Sequence, residues 1–247
     1  MIKLSDRLQC IANQMEKGET MADIGTDHGF LPLYLWEQKI SPKVILTDVS
    51  PGSLDKARQC CQEQYPDVSF DLRLGNGLQV LAKAEVDTVV MAGMGGLLMQ
   101  EMLESNPTLS KSFKKFLLQP RRHPGRLRYY LLRRGYTIIN ENLVREGRYI
   151  CEILTVVPKP SQVVDLSMMA QPMESVVWEV PPWYGSKYKG TFGAAFQVKK
   201  DALREEYLAR KLLQRQERLR GMEKSAAGDT AGVKKEIAYL QNLLDQG

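Results

Sequence analysis

With 247 residues, 43% of them hydrophobic and 26% charged, the chain has the composition of a globular protein with one sizeable core and an appendage, which excludes a disordered or fibrous class. The formal charge of +5, with a pI of about 8.9, is a mild basic excess that favours an acidic partner only where it is concentrated. The four cysteines, Cys10, Cys60, Cys61 and Cys151, form no CxxC pair and neighbour no histidine cluster, and no apolar run spans a bilayer; the expectation is a cytoplasmic protein without metal, disulfide framework or membrane segment.

The opening "MIKLSDRLQCIANQM" places Leu4, Leu8, Ile11 and Met15 at helical spacing and lacks the flanks of a secretory signal. Short β-rich runs then alternate with helix-length segments: "MADI" at 21–24, "KVILTDV" at 43–49, "VSFDLRL" at 68–74, "VDTVVMAG" at 86–93 and "KKFLLQP" at 114–120. This alternation predicts βαβ crossovers and a parallel sheet covered on both faces. "YTIINENLV" and "RYICEILTVV" are separated only by "REG" and read as an antiparallel hairpin, so the sheet is expected to end in a reversed strand.

After Val157 the stretches "PKPSQ" and "PPWYGSKYKG" have the composition of linkers and loops, with Trp178, Trp183 and Tyr184 as apolar anchors. Beyond Phe192 two charged helices follow, separated by "AAGDTAG". Leu208, Leu212, Leu219 and Met222 in the first, and Val233, Ile237, Leu240 and Leu244 in the second, form seams suited to a helical hairpin, with Arg215 as an interruption. The expected domains are therefore 1–160, an α/β sheet domain, and 161–247, a linker with an all-α, coiled-coil-like hairpin. Seven strands, five alternating with helices and two in a closing hairpin, resemble the Rossmann-like class I fold of the S-adenosylmethionine (SAM) methyltransferases.

"MADIGTDHGF" puts Asp23, Gly25, Thr26, Asp27, His28 and Gly29 at the carboxyl end of the first strand, where open α/β sheets bind ligands. A pyrophosphate there would be repelled by Asp27, whereas SAM carries a sulfonium and an ammonium and suits a nearby carboxylate. Asp48, with Val49 beside it, ends the second strand, where an acidic residue accepts hydrogen bonds from ribose hydroxyls. "GNG", Gly75, Asn76 and Gly77, follows the third strand, and the Asn76 amide suits an adenine edge. "AGMGG" follows the fourth, where Ala92 and Gly93 allow close backbone approach to the methyl donor. A tight βα connection without a ligand is the alternative for any one of these turns.

"LSDRLQCIA", "MADIGTDHGFLP", "AGMGG" and "LLQP", followed by a hairpin ending in "EIL" and an "FG" before a charged helical tail, resemble the TrmK family of bacterial tRNA (adenine-N1)-methyltransferases over nearly the whole chain. The resemblance implies SAM-dependent methylation of N1 of the adenine at position 22 of tRNA, with S-adenosyl-L-homocysteine as product and a helical C-terminal domain assisting RNA binding. The chain departs from the family pattern at Asn76, Cys151 and Ala194, and "QP" is followed by Arg121 and Arg122.

Adenine N1 has an in-plane lone pair and needs no strong general base; the site must align the reacting atoms and accommodate the moving charge. Gly93 and Met94 are read as the platform for the target base. Asp27 is the candidate for an electrostatic role, with loop capping or a SAM contact as alternatives, and His28 reads equally well as a structural residue. Candidate RNA contacts are Arg7, matched to a family motif, and Arg121, Arg122 and Arg126 in "RRHPGRLRYYLLRR"; part of that run is simply the solvated face of a helix. In the tail Lys199, Lys200, Arg204, Arg210 and Lys211 are further candidates, with dimerisation as the alternative use of the seam. Methylation of another RNA or a non-RNA acceptor, and SAM or RNA binding without catalysis, are the competing functions.

Overall fold

The computed structural model describes residues 2–159, 166–185, 202–225 and 230–246. The chain separates into two compact units, Met1–Gln162 and Val163–Gly247. In the first, helices α1 (Asp6–Ala12), α2 (Phe30–Glu37), α3 (Pro51–Gln64), α4 (Gly96–Ser105), α5 (Pro107–Ser110) and α6 (Pro124–Arg133) flank seven strands. These are β1 (Met21–Ile24), β2 (Val44–Asp48), β3 (Asp71–Leu74), β4 (Thr88–Gly95), β5 (Lys115–Arg122), β6 (Thr137–Glu146) and β7 (Tyr149–Val157). Their order in the sheet is β3-β2-β1-β4-β5-β7-β6, the Rossmann-like methyltransferase plan expected from the sequence. Order reverses between β1 and β4, which opens a crevice at their carboxyl ends.

β1 and β2 are buried along their whole length, as strands covered on both faces must be. The hairpin corrects one expectation. The reversed strand β7 does not end the sheet: it lies between β5 and β6, antiparallel to both, and the edge strand β6 again runs parallel to β1–β5. The hairpin therefore turns at the carboxyl edge of the sheet, through Gly147 with φ of +57°. β4 also runs two residues further than expected, through Met94 and Gly95, with register shifts against β5 between Ala92 and Met94 and between Met94 and Gly95.

A buried ion cluster fastens α6 to the hairpin. Arg128, with no exposed surface, donates from Nε to Glu141 at 2.7 Å and from Nη2 to Glu152 at 2.5 Å. This part of the arginine-rich run belongs to the core, together with Leu127 and Leu131.

The second unit contains α7 (Leu166–Met169), α8 (Val176–Glu179), α9 (Ala202–Ser225) and α10 (Thr230–Asp245). Trp178, Trp183 and Tyr184 are buried within it, and Leu208, Val233 and Leu240 form the innermost part of the α9–α10 seam. Arg215, the apparent interruption, pairs with Glu236 of α10 at 2.5 Å and with Glu179 of α8. Two RNA-contact expectations are corrected here. Arg204 is 1% exposed and donates to the Tyr184 carbonyl at 2.8 Å, and Lys211 lies over the Tyr207 ring and pairs with Glu179 at 2.7 Å. Both spend their charge inside the unit because their acidic and carbonyl partners come from segments distant in sequence. Lys199, Lys200 and Ala194 lie outside the described residues.

Candidate active site at the carboxyl edge of the sheet

The loop after β1 is built from alternating left-handed residues: Gly25 at φ +78°, Asp27 at +48° and Gly29 at +74°. The Gly25 and Thr26 N–H groups both donate to the Thr47 carbonyl at 2.9 Å, which holds the loop to the end of β2. A Cβ on Gly25 would lie 3.2 Å from Met94 Cε, so this loop and the β4 bulge meet face to face. Gly29 has a different reason: a Cβ there would strike Leu46 at 2.7 Å, inside the packing of α2 on β2.

Asp27 projects from this loop as an open carboxylate between Lys56 Nζ of α3 at 3.2 Å and the His28 ring Nδ1 at 2.8 Å. The little burial it has would raise its pKa, but hydrogen bonds from Lys56 and His28 outweigh this and hold it below the ordinary carboxylate range. His28 in turn stacks on Phe30, with ring centroids 5.2 Å apart. Asp23 is the opposite case: burial pushes it up to about 6, the Asp48 charge adds to that, and Thr26 and Arg7 pull the other way.

Asp48 is buried, and its Oδ1 accepts the Ser50 N–H at 2.8 Å. Its carbonyl accepts the Gly75 N–H at 3.0 Å, which brings Gly75, Asn76 and Gly77 alongside. Gly75 and Gly77 are required by the chain's own packing, since a Cβ would collide with Val80 at the first and with Met102 at the second. Asn76 is exposed, and Val49 and Leu74, 67% and 55% exposed, present apolar surface on either side of this loop.

On the other side of the crevice, the Gln119 amide oxygen accepts the Gly93 N–H at 3.0 Å and an Arg7 Nη1–H at 3.3 Å. Arg7 also donates its backbone N–H and Nε to Glu146 at 3.1 and 3.4 Å. Arg7, expected to contact RNA, is half-buried and joined to a network that braces the β4 bulge. Gln119, Glu146 and Lys56 were missed in the sequence. The one available signal was Gln119 itself, a lone amide after the apolar run "FLL", which has to find hydrogen-bond partners when buried. Arg121, Arg122 and Arg126 are exposed at the end of β5 and the start of α6. Arg210 is exposed on α9 and pairs with Glu206 at 2.6 Å.

The residues of this edge suit SAM better than a dinucleotide. Asp23 and Asp48 in the strands and Asp27 in the loop put three carboxyl groups at this edge, and the space beside Gly25 and Gly29 is taken by Met94 and Leu46, which disfavours a pyrophosphate, while a cationic nucleoside with an exposed apolar wall at Val49 and Leu74 is accommodated. Among the described residues no group of three or more His, Cys, Asp or Glu is placed to hold a metal ion, and no helix is long and apolar enough to cross a membrane.

The methyltransferase domain family matches residues 4–154, the span that carries this whole edge. The chain belongs to that methyltransferase family. Within it, the chain is similar to tRNA methyltransferases of the TrmK type. The tRNA (adenine(22)-N(1))-methyltransferase of Bacillus subtilis is 32% identical over 153 residues, which is 62% of this chain and 64% of that protein, so the chain covers less than two thirds of this relative's length. The crystal structure of the B. subtilis m1A22 tRNA methyltransferase TrmK superposes with a TM-score of 0.75 at 26% identity, over 100% of this chain and 97% of the other. M. capricolum TrmK in complex with S-adenosyl-homocysteine superposes with a TM-score of 0.75 over 98% of both chains at 17% identity, a likeness of fold.

Proposed function

We propose that this methyltransferase is of the TrmK type and uses SAM to methylate N1 of adenine 22 in tRNA, releasing S-adenosyl-L-homocysteine. The observation that carries the reading is the pairing of an acidic, glycine-turned edge with exposed arginines on the adjoining β5–α6 segment: Asp23, Asp27 and Asp48 suit a cationic nucleoside, and Arg121, Arg122 and Arg126 suit a polyanion. The names of the B. subtilis relatives support the choice of acceptor.

When bound, SAM supplies an electrophilic methyl group on a sulfonium. The Asp48 carboxylate is the ribose-hydroxyl acceptor in this reading, Asn76 pairs with the adenine edge, and Val49 and Leu74 cover its face. The backbone of Gly93 and Met94, braced by Gln119 and Arg7, receives the target base. Asp27, ionised through Lys56 and His28, offsets the positive charge that accumulates on the methylated adenine. Residues 1–160 act as the catalytic domain and 161–247 as an RNA-binding aid, in the cytoplasm where tRNA is found.

The test is incubation of unmodified tRNA with the protein and SAM, followed by nucleoside mass spectrometry and mapping of the modified position by reverse-transcription arrest. N1-methyladenine at position 22 is expected. A protein that binds SAM but leaves every tRNA unmodified would overturn the reading.

A further inference from the structure

Because β6 is parallel to β1–β5 and only β7 is reversed, the β6–β7 turn lies at the same edge as the site. It carries an aromatic ring where a two-residue turn gives it nothing to bury against: Tyr149 is 56% exposed. The Arg148 guanidinium sits 5.1 Å above the ring centroid and donates from Nη2 to the Tyr149 hydroxyl at 2.8 Å, so the ring and the guanidinium form one preorganised unit. This unit is mechanically tied to the site, since Glu146 at the end of β6 holds Arg7, Arg7 holds Gln119, and Gln119 holds Gly93.

The surroundings are cationic. Arg121 lies close enough for its charge to reach Cys151, two residues along β7 from Tyr149. Arg122 pairs in register with Gly95 of β4. Both arginines are exposed, and the nearby carboxylates are already engaged: Glu146 with Arg7, and Glu141 and Glu152 with Arg128. An exposed aromatic flanked by arginines, with acids withdrawn into internal pairs, matches the chemistry of a single-stranded or loop RNA segment, whose bases stack on π-faces and whose phosphates accept from guanidinium groups.

Resting on the tRNA reading above, we propose that Arg148 and Tyr149 form an RNA-docking platform: the tyrosine ring stacks on an unpaired base of the substrate and the arginine contacts an adjacent phosphate. Neither residue is among those read as holding SAM, so the platform acts on RNA and not on SAM.

The experiment uses the full chain with an unmodified tRNA transcript. Binding is measured across a salt series, methyl transfer by initial rates, and SAM affinity by calorimetry, for wild type, Tyr149→Ala, Tyr149→Phe and Arg148→Gln. Tyr149→Ala is expected to weaken tRNA binding about tenfold, with the loss in KM for tRNA larger than in kcat and with SAM affinity retained. Tyr149→Phe, which keeps the ring, restores most of the binding, and Arg148→Gln lowers the slope of log affinity against log salt by about one. Wild-type protein that methylates tRNA while Tyr149→Ala and Arg148→Gln bind it as tightly as wild type overturns the platform alone. Wild-type protein that neither binds nor methylates tRNA overturns the platform together with the function on which it rests.

Discussion

The Gln119 amide oxygen accepts the Gly93 N–H at 3.0 Å, and this one bond holds the left-handed residue of the β4 bulge, at φ +79°, against β5. The same oxygen takes the Arg7 guanidinium at 3.3 Å, so the bulge and α1 share a single buried acceptor. Gln119→Leu keeps the approximate volume and leaves two donors without their partner. It is expected to cost about 1–3 kcal/mol of stability, seen as a lower midpoint in urea, and to reduce methyl transfer more than SAM affinity. A variant with wild-type stability and turnover would remove Gln119 from the bracing of the site.

Asp23 makes stability depend on pH in a direction opposite to most carboxylates. Its folded pKa, about 6, is raised above the ordinary 3.8, so its contribution is fully present below about 3.8 and is lost as the pH rises through about 6. The difference corresponds to ~3 kcal/mol. Asp23→Asn is therefore expected to flatten the fall in stability between pH 4 and pH 7, as measured by denaturant unfolding at each pH. Parallel curves for variant and wild type would show that Asp23 does not titrate in this range.

Arg128 is enclosed between Glu141 and Glu152, so removing it strands two buried carboxylates. Arg128→Met is expected to cost about 3–5 kcal/mol, read by thermal unfolding, and adding Glu141→Gln with Glu152→Gln should recover part of the loss. Failure of the triple variant to improve on Arg128→Met would mean that packing, not charge, accounts for the effect.

Asp27 occupies a left-handed position that asparagine tolerates and that strains alanine. Asp27→Asn keeps the loop and removes the charge between Lys56 and His28, so it isolates electrostatics from backbone shape. Methyl transfer should fall about tenfold with little change in melting temperature. Retained turnover would assign Asp27 to the loop alone.

The arginines of the two units should part company. Arg121→Gln with Arg122→Gln is expected to weaken tRNA binding and lower its salt slope by about two, with folding intact. Arg204→Ala should instead lower the melting temperature, because its guanidinium is buried against the Tyr184 carbonyl. Salt-dependent binding assays and calorimetric melts of the same two proteins separate the outcomes.

Periodicity and turn chemistry alone located every strand of the sheet, the glycine turns at their carboxyl ends and the two tail helices, because these are local properties: an apolar run between turn residues, or a seam at helical spacing. The acidic loop at Asp27 and the acid at Asp48 were legible for the same reason, each being fixed by its distance along the chain from a strand. Tertiary structure alone decided that β7 lies between β5 and β6, which turned the Arg148–Tyr149 tip toward the site, since strand order depends on hydrogen bonds between segments far apart in sequence. It also sorted the cations. Arg122 and Arg128 stand six residues apart in one basic run, yet one is open to solvent and the other has no exposed surface, because Glu141 and Glu152 reach Arg128 from a hairpin whose position the local sequence does not encode.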